Sequence, residues 1–206
     1  MLAFSSLLGN VEGQNIYRIW YDKPASYWEE ALPVGNGRIA AMVFGDPQLE
    51  QIQLNEETVS AGSPYQNYNE EAKTALPEMR RLIFEGKYEE AQNMAATKIL
   101  SQVGNEMPYQ TVGRLNIRYQ DHKKVNNYYR DLDISNAVAV TRYEVDGVEF
   151  TEETFASFTD QLVIRHIKAS KPGTINCELF FNTPMRDPKR SIYGKKGLRL
   201  EGITHG

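Results

Sequence analysis

The chain has 206 residues, of which 41% are hydrophobic and 24% are charged, as in ordinary globular proteins. This length allows one sizeable core, or at most two domains. The formal net charge is -4 and Lys and Arg are scattered, so we expect no nucleic-acid partner. We expect no membrane span either, since no run approaches the roughly 20 apolar residues that one needs. The single Cys177 excludes an intrachain disulfide and is interpreted as a small core residue.

Residues 1–15 hold a short apolar run followed by small and polar residues, which is similar to the back half of a secretory signal peptide. The basic start of such a peptide is missing, because no Lys or Arg precedes Arg18. Two interpretations stay open, a signal-peptide remnant and an uninformative leader. We place the folded domain over residues 16–206.

The first third of the chain has a β pattern. Residues 16–21 form a short β-like run, and residues 33–37 contain two glycines that favour a turn. Residues 38–44 and 51–54 then predict two strands of a hairpin around the turn at residues 45–47.

Residues 69–100 change to a helical period and predict two helices inserted between strands. Asn69 is the expected N-cap of the first helix, and Gly86 is its expected end. Pro77 lies within the first helical pattern, where it could shift the start of the helix.

The β pattern returns after Gly104. Residues 137–145 and 148–155, joined by Asp146-Gly147, have a strong hairpin signature. Strands are also expected at 115–119, at 161–169 and 175–183 as a linked pair, and at 197–203. This order predicts a mainly β fold, an antiparallel sandwich with a two-helix insertion. Because the last strand lies close to residue 206, we expect the sandwich to be incomplete at its C-terminal end.

Five motifs occur in an order that resembles the opening domain of glycoside hydrolase family 95, the α-L-fucosidase family. The resemblance covers about residues 17–185. The motifs are Trp20-Tyr21, Pro33-Val34-Gly35-Asn36-Gly37-Arg38, Leu54-Asn55-Glu56-Glu57-Thr58, Tyr109-Gln110-Thr111-Val112-Gly113 and Phe155-Ala156-Ser157.

The resemblance implies a β super-sandwich packed on a catalytic (α/α)6 barrel, which provides the general acid and the groups that activate water. It therefore implies no catalytic residue in this chain, which we expect to stop before the barrel and to be inactive as an inverting α-L-fucosidase. The implied partners of the full-length enzyme are a fucosylated oligosaccharide and the barrel, and its implied location is periplasmic or secreted. An α-L-galactosidase specificity stays open. Ser60 departs from the family, which usually has Trp there.

The candidate residues that would face the barrel or a substrate loop are polar or aromatic members of the motifs and their neighbours: Asn36, Arg38, Asn55, Glu56, Thr58, Tyr65 and Gln110. The favoured role of Asn55, Glu56 and Thr58 is structural, as loop hydrogen bonds. Arg38 is expected to form an ion pair.

A catalytic carboxyl pair within the chain is the alternative to a purely supporting role. Inverting glycosidases need two carboxyl groups about 6.5–9.5 Å apart, and the candidates are Glu29, Glu30, Glu56 and Glu57. Adjacent glutamates on a strand point to opposite faces, which disfavours such a pair.

No metal or other cofactor is expected. His122, His166 and His205 have no metal-ligand spacing with each other or with Cys177. His166 is interpreted as a surface or cross-strand residue. The sequence also lacks a Gly-x-Ser-x-Gly elbow and a phosphate-binding loop.

Two further functions stay open. The chain could be a stand-alone carbohydrate-binding or assembly module, which predicts that Tyr65, Tyr68 and Tyr109 share one open surface. It could also be a truncation product without function.

Overall fold

The computed structural model describes residues 17–62, 66–101 and 108–204. The predicted leader at residues 1–15 and the site residue Tyr65 lie outside these described residues. The chain divides into two compact units, residues 1–59 with 111–203 and residues 60–110 with 204–206. Placing one domain over residues 16–206 stays a prediction.

The first unit consists of β-strands, and short turns join most of them. Within the described residues the strands are, in chain order, β1 (Arg18–Tyr21), β2 (Leu32–Gly35), β3 (Ile39–Val43), β4 (Leu49–Glu56), β5 (Gly113–Tyr119), β6 (Asn126–Asp133), β7 (Val138–Val145), β8 (Val148–Ser157), β9 (Leu162–Ala169), β10 (Cys177–Asn182), β11 (Arg186–Tyr193) and β12 (Gly197–Ile203). A short 3-10 turn, Trp28–Glu30, precedes β2.

The strands form two five-stranded antiparallel sheets and a two-stranded ribbon. The first sheet has the order β1-β6-β7-β8-β9, the second has the order β10-β5-β4-β3-β2, and β11 pairs with β12. The predicted hairpin at Asp146-Gly147 joins β7 to β8, and both turn residues have positive φ, 49° and 71°. The hairpin of β3 and β4 is also confirmed.

The core lies between the two sheets and draws apolar residues from both. It contains Leu32, Val34, Ala41, Val43, Ile52, Ile117 and Tyr119 from the second sheet and Leu132 and Ala139 from the first. Cys177 is partly buried and packs against this cluster, in line with its interpretation as a small core residue. The prediction of a mainly antiparallel β-sandwich is therefore confirmed.

Charged side chains also lie between the sheets, where they pair with one another. Arg165 of β9 donates to Glu50 Oε2 of β4 at 2.7 Å and to Glu152 Oε2 of β8. We call these three residues the buried ion cluster. Tyr119 and Tyr143 donate their hydroxyls to Glu152 Oε1 at 2.8 and 2.7 Å. Since buried charges are costly unless they are paired, this cluster fixes how the two sheets meet.

Arg130 of β6 is a second buried cation, with 0% exposure. Its guanidinium donates to the carbonyl oxygens of Lys23 and Glu30, each at 2.7 Å. It also lies over the ring of Tyr21, 4.1 Å from the centroid. Arg130 thereby holds the segment between β1 and β2 against the first sheet.

The second unit is the predicted two-helix insertion. It comprises α1 (Ala72–Phe84), α2 (Tyr88–Met94) and a π-helical turn, Ala95–Ile99. Gly86 ends α1 with φ 78°, and Lys87 N–H donates to Leu82 O at 2.9 Å, as in a Schellman cap. The helices described here lack the length and apolar character that a membrane crossing requires.

The expected start of α1 is wrong by two residues, because the N-cap position is Glu71 and not Asn69. The helix begins at Ala72, while Asn69 lies before it and accepts from Glu71 N–H at 3.0 Å. The Asn69 amide also donates to the carbonyls of Thr97 and Leu100, so it joins the two ends of the insertion. Pro77 is accommodated inside the helix.

The sequence prediction differs from the structure at four further places. The turn expected at residues 33–37 begins later, because Leu32–Gly35 form strand β2. Strands β6 and β11 were not expected, because their sequences are mostly polar or charged. The expected pairing of residues 161–169 with residues 175–183 is wrong. Instead β9 pairs with β8 and β10 pairs with β5, so the chain crosses from one sheet to the other.

Candidate functional site

The turn between β2 and β3 is organised by the side chain of Asn36. Its Oδ1 accepts from the backbone N–H groups of Arg38 and Ile39 at 3.0 and 2.9 Å. Its amide nitrogen donates to Ser157 O, at the end of β8, at 2.7 Å. Gly37 takes the positive φ of 91° that the turn requires. Asn36 therefore ties the second sheet to the first at one end of the sandwich.

Arg38, Glu56 and Thr58 meet beside this turn. Arg38 Nε donates to Glu56 Oε1 at 3.0 Å, which agrees with the expected ion pair. Glu56 Oε2 accepts from Thr58 N–H at 2.9 Å and from the Thr58 hydroxyl at 2.5 Å. These three residues and Asn36 form what we call the hairpin-end site.

The charge state of Glu56 follows from these contacts. Hydrogen bonds from the Thr58 hydroxyl and from Arg38 lower the pKa of Glu56 below its ordinary value. A general acid in glycoside hydrolysis needs the opposite shift, so that it holds a proton near neutral pH. The hairpin-end site thus suits packing or recognition, and Glu56 does not suit the role of a general acid.

The candidate residues Asn55 and Gln110 lie outside the hairpin-end site. Asn55 pairs with Ala40 across β3 and β4, and its buried amide oxygen has no hydrogen-bond partner among the described residues. Gln110 lies in the second unit, partly buried. Its neighbour Tyr109 forms an antiparallel bridge with Ser60, the residue that departs from the motif.

Two of the four glutamates named for a catalytic carboxyl pair, Glu30 and Glu56, do not suit the role of its acid. The backbone N–H of Ser26 donates to Glu30 at 2.8 Å and, as the largest cause, lowers the pKa of Glu30. Both Glu30 and Glu56 are therefore ionised at neutral pH. Neither has the raised pKa that an acid role requires.

Sequence reasoning overlooked two carboxylates, Glu50 and Glu152 of the buried ion cluster. They are 0% and 2% exposed, so a substrate cannot reach them. Burial raises the pKa of Glu50, and Arg165 opposes that shift. A signal was present in the sequence, because Glu152 alternates in phase with the apolar Val148 and Phe150.

A polar cleft of about 370 Å³ opens in the first unit, next to the Thr111-Val112-Gly113 motif. Amide, hydroxyl and guanidinium groups line it, from Gln53, Thr111, Arg114, Asn182 and Thr183. Such groups can bind hydroxyl-rich molecules. The described lining contains no carboxyl group, so we assign no acid-base chemistry to it.

The histidines and tyrosines were also named in the sequence analysis. His166 is half exposed, and its Nδ1 lies 3.4 Å from Glu153 Oε2 on the neighbouring strand, as predicted for a cross-strand residue. His122 is buried, and its ring stacks on Tyr119 with centroids 4.3 Å apart. Tyr68 and Tyr109 are 63% and 54% exposed.

The family assignment comes from a comparison with protein-family models. The model described as the N-terminal domain of glycosyl hydrolase family 65 matches residues 19–206. The chain belongs to this family. It is therefore a glycoside hydrolase N-terminal domain.

Relatives of this glycoside hydrolase N-terminal domain carry fucosidase names. It is 37% identical to "Alpha-L-fucosidase 2" of Arabidopsis thaliana over 181 residues, or 85% of the chain. It is 26% identical over 162 residues to a "Probable alpha-fucosidase A" of Aspergillus niger, and 25% identical over 211 residues to one of Aspergillus oryzae. These alignments cover 74% and 96% of the chain. The chain spans between 20% and 28% of the length of these relatives.

Proposed function

We propose that this chain forms the opening, non-catalytic domain of a family 95 α-L-fucosidase. The catalytic groups of that enzyme would lie in a helical barrel elsewhere in the polypeptide. The observation that carries the proposal is the 37% identity to "Alpha-L-fucosidase 2" over 85% of the chain. The alignment spans only 21% of that relative, which leaves ample length for a separate catalytic domain.

Four glutamates support a non-catalytic role. Glu56 and Glu30 have lowered pKa values and are ionised at neutral pH. Glu50 and Glu152 are inaccessible to substrate. A general acid would need both a raised pKa and access to the glycosidic oxygen.

The hairpin-end site supports a shaping role. Its contacts fix the Arg38 guanidinium, because Arg38 Nε donates to Glu56. The Arg38 side chain is nevertheless 57% exposed. A fixed cation with free N–H donors suits a rigid contact to another domain or to a sugar hydroxyl. The substrate of the whole enzyme would be a fucosylated glycan, with an α-L-galactoside as the alternative. Its location would be periplasmic or secreted.

Hydrolysis of 4-nitrophenyl α-L-fucoside tests this proposal. The purified 206-residue chain should release no nitrophenol above the buffer rate, while the full-length gene product should be active. The matching α-L-galactoside is assayed beside it. Activity of the chain that Glu56→Gln abolishes would overturn the non-catalytic role, and an inactive full-length product would overturn the fucosidase assignment.

The shaping role has its own test in the full-length gene product. Arg38→Ala should lower kcat/KM for the fucoside by about tenfold, the effect of losing roughly 1.4 kcal/mol of transition-state support. The control is Arg118→Ala, which removes another exposed ion pair, that of Arg118 with Glu178 at 2.8 Å. Equal rates for both variants and the parent would contradict the role of Arg38.

A further inference from the structure

The outer face of the first sheet carries an exposed tryptophan at its edge. Trp20 of β1 is 61% exposed, whereas its neighbour Tyr21 points to the opposite face and packs against the core. The Trp20 ring lies nearly parallel to that of Tyr129 on β6, with an interplanar angle of 18° and centroids 6.3 Å apart. The two stacked rings therefore form an aromatic surface, of which Trp20 is the exposed part and Tyr129 the half-buried part.

Charged groups frame this aromatic surface and hold one another in place. Arg18 Nε lies 3.0 Å from Asp131 Oδ2, and Arg142 approaches Asp131 Oδ1 at 3.5 Å. Arg18 also lies 3.7 Å from Asp133. The Asp131 side chain is 1% exposed, so the arginines cover it. We call Trp20, Tyr129, Arg18, Asp131 and Arg142 the Trp20 surface.

The arginines keep donors available for a ligand. Their side chains are 35% and 48% exposed for Arg18 and Arg142. Each guanidinium has five N–H donors. Arg18 directs some of them to Asp131, Asp133 and Tyr129, whereas Arg142 approaches Asp131 through one nitrogen. Because Asp131 anchors both cations, the remaining donors are held in position before any ligand arrives.

We propose that the Trp20 surface binds a pyranose ring of a neutral glycan. The apolar C–H face of the sugar would stack on Trp20 and Tyr129, and its hydroxyls would accept from Arg18 and Arg142. This surface shares no residue with the polar cleft or the hairpin-end site, and the inference does not depend on the proposed role in a fucosidase.

The local charge favours a neutral ligand over an anionic one. Two arginines face two aspartates, Asp131 and Asp133, so the frame carries no net charge. A site for phosphate or for a nucleic acid would need uncompensated positive charge. An aromatic ring between hydrogen-bonding groups instead matches a molecule with one apolar face and a polar rim.

The chain offers a direct spectroscopic test, because it contains two tryptophans. Trp28→Phe leaves Trp20 as the only tryptophan, and Trp20→Phe leaves Trp28, which is 51% exposed in the turn Trp28–Glu30. The two variants are therefore matched reporters. Urea melts of both variants check that each is folded.

Each variant is titrated with 2'-fucosyllactose, lactose and cellobiose up to tens of millimolar while tryptophan emission is recorded. We expect a saturable change in the Trp28→Phe variant with at least one sugar and no change in the Trp20→Phe variant. Adding Arg142→Ala to the Trp28→Phe variant should weaken the apparent affinity by about tenfold.

Three outcomes would overturn the proposal. The first is an unchanged emission of the Trp28→Phe variant with all three sugars, and the second is an equal response of both variants. The third is self-association that Trp20→Phe abolishes, measured by sedimentation velocity, which would assign the surface to contacts between copies of the chain. Failure of these titrations would leave the fucoside hydrolysis result untouched, so the two proposals can fail separately.

Discussion

Removing the cation of the buried ion cluster should destabilise the sandwich strongly. The substitution is Arg165→Met, which keeps much of the side-chain volume. Arg165 is 7% exposed and donates to Glu50 at 2.7 Å, to Thr154 at 2.7 Å and to Glu152. In the variant both glutamates would be buried without a counter-charge.

The expected loss of stability follows from the number of charged groups left unpaired. Removing one partner of a buried ion pair costs about 3–5 kcal/mol, and here one guanidinium serves two carboxylates. A domain has a total stability of roughly 5–15 kcal/mol. With a urea m-value of about 2 kcal/mol/M, a loss of about 4 kcal/mol lowers the midpoint by about 2 M.

The control substitution is Arg118→Met, which removes an ion pair of the same length in an exposed position. Arg118 lies 2.8 Å from Glu178, and the two side chains are 50% and 53% exposed. Exposed pairs contribute at most about 1 kcal/mol, so its midpoint should shift by at most about 0.5 M at the same m-value. Both variants are measured by tryptophan emission in urea at pH 7.5.

The loss of stability caused by Arg165→Met should depend on pH. Without the guanidinium, nothing opposes the burial that raises the folded-state pKa of Glu50. A carboxyl group with a raised folded pKa stabilises the fold below its unfolded pKa of about 4.3, and this stability is lost as pH rises through the folded value. The deficit should therefore be smaller at pH 5 than at pH 7.5. Equal midpoints for Arg165→Met and Arg118→Met at pH 7.5 would refute this reasoning.

Three further predictions concern the hairpin-end site and the turns. Asn36→Ala should lower the free energy of unfolding by about 1–2 kcal/mol, because it removes the hydrogen bonds of both the amide oxygen and the amide nitrogen. Asn36→Asp keeps an acceptor oxygen and should lose less stability. Equal urea midpoints for the two variants would contradict this. Glu56→Gln should make the free energy of unfolding depend less on pH in acid. The pKa of Glu56 is lowered in the folded state, so the carboxylate stabilises the fold above about pH 4.3. This stabilisation is lost as pH falls through the folded-state pKa. Melts from pH 3 to pH 6 measure this, and parallel curves for parent and variant would disprove it. Gly113→Ala should destabilise by at least about 1 kcal/mol more than Gly37→Ala, because a Cβ at Gly113 would lie 2.4 Å from a carbonyl oxygen while one at Gly37 meets nothing within 4 Å. Equal thermal midpoints would show that the strand can move aside.

The hairpin-end site was predictable because its contacts are local. Arg38 and Glu56 lie at the ends of two strands that pair in one hairpin, so the turn and the strand period suffice to bring them together. The bond from Asn36 to Ser157 spans 121 residues and joins two sheets. Strand periodicity does not specify which ends of two packed sheets meet, so that contact required the structure.

Strand β6 was missed for a physical reason that does not apply to β11, which is exposed along its whole length. β6 contains Arg130 and Asp131, which are buried because each finds partners on other elements. Hydrophobic periodicity assumes that charged residues face water, and it fails where the partners are distant in sequence. The wrong pairing of β9 with β10 has a similar origin, because a short polar connection looks the same whether it joins neighbours or crosses between sheets.

The separation of Glu50 and Arg165 along the chain, 115 residues, also bears on how the protein is made. Strands β2, β3 and β4 of the second sheet are synthesised long before Arg165. Glu50 therefore leaves the ribosome well ahead of the guanidinium that pairs with it. Until then, closing a second layer over β4 would bury a lone negative charge. We expect the nascent chain to stay open until β9 is complete, which delays collapse and makes this stretch of synthesis a target for chaperones.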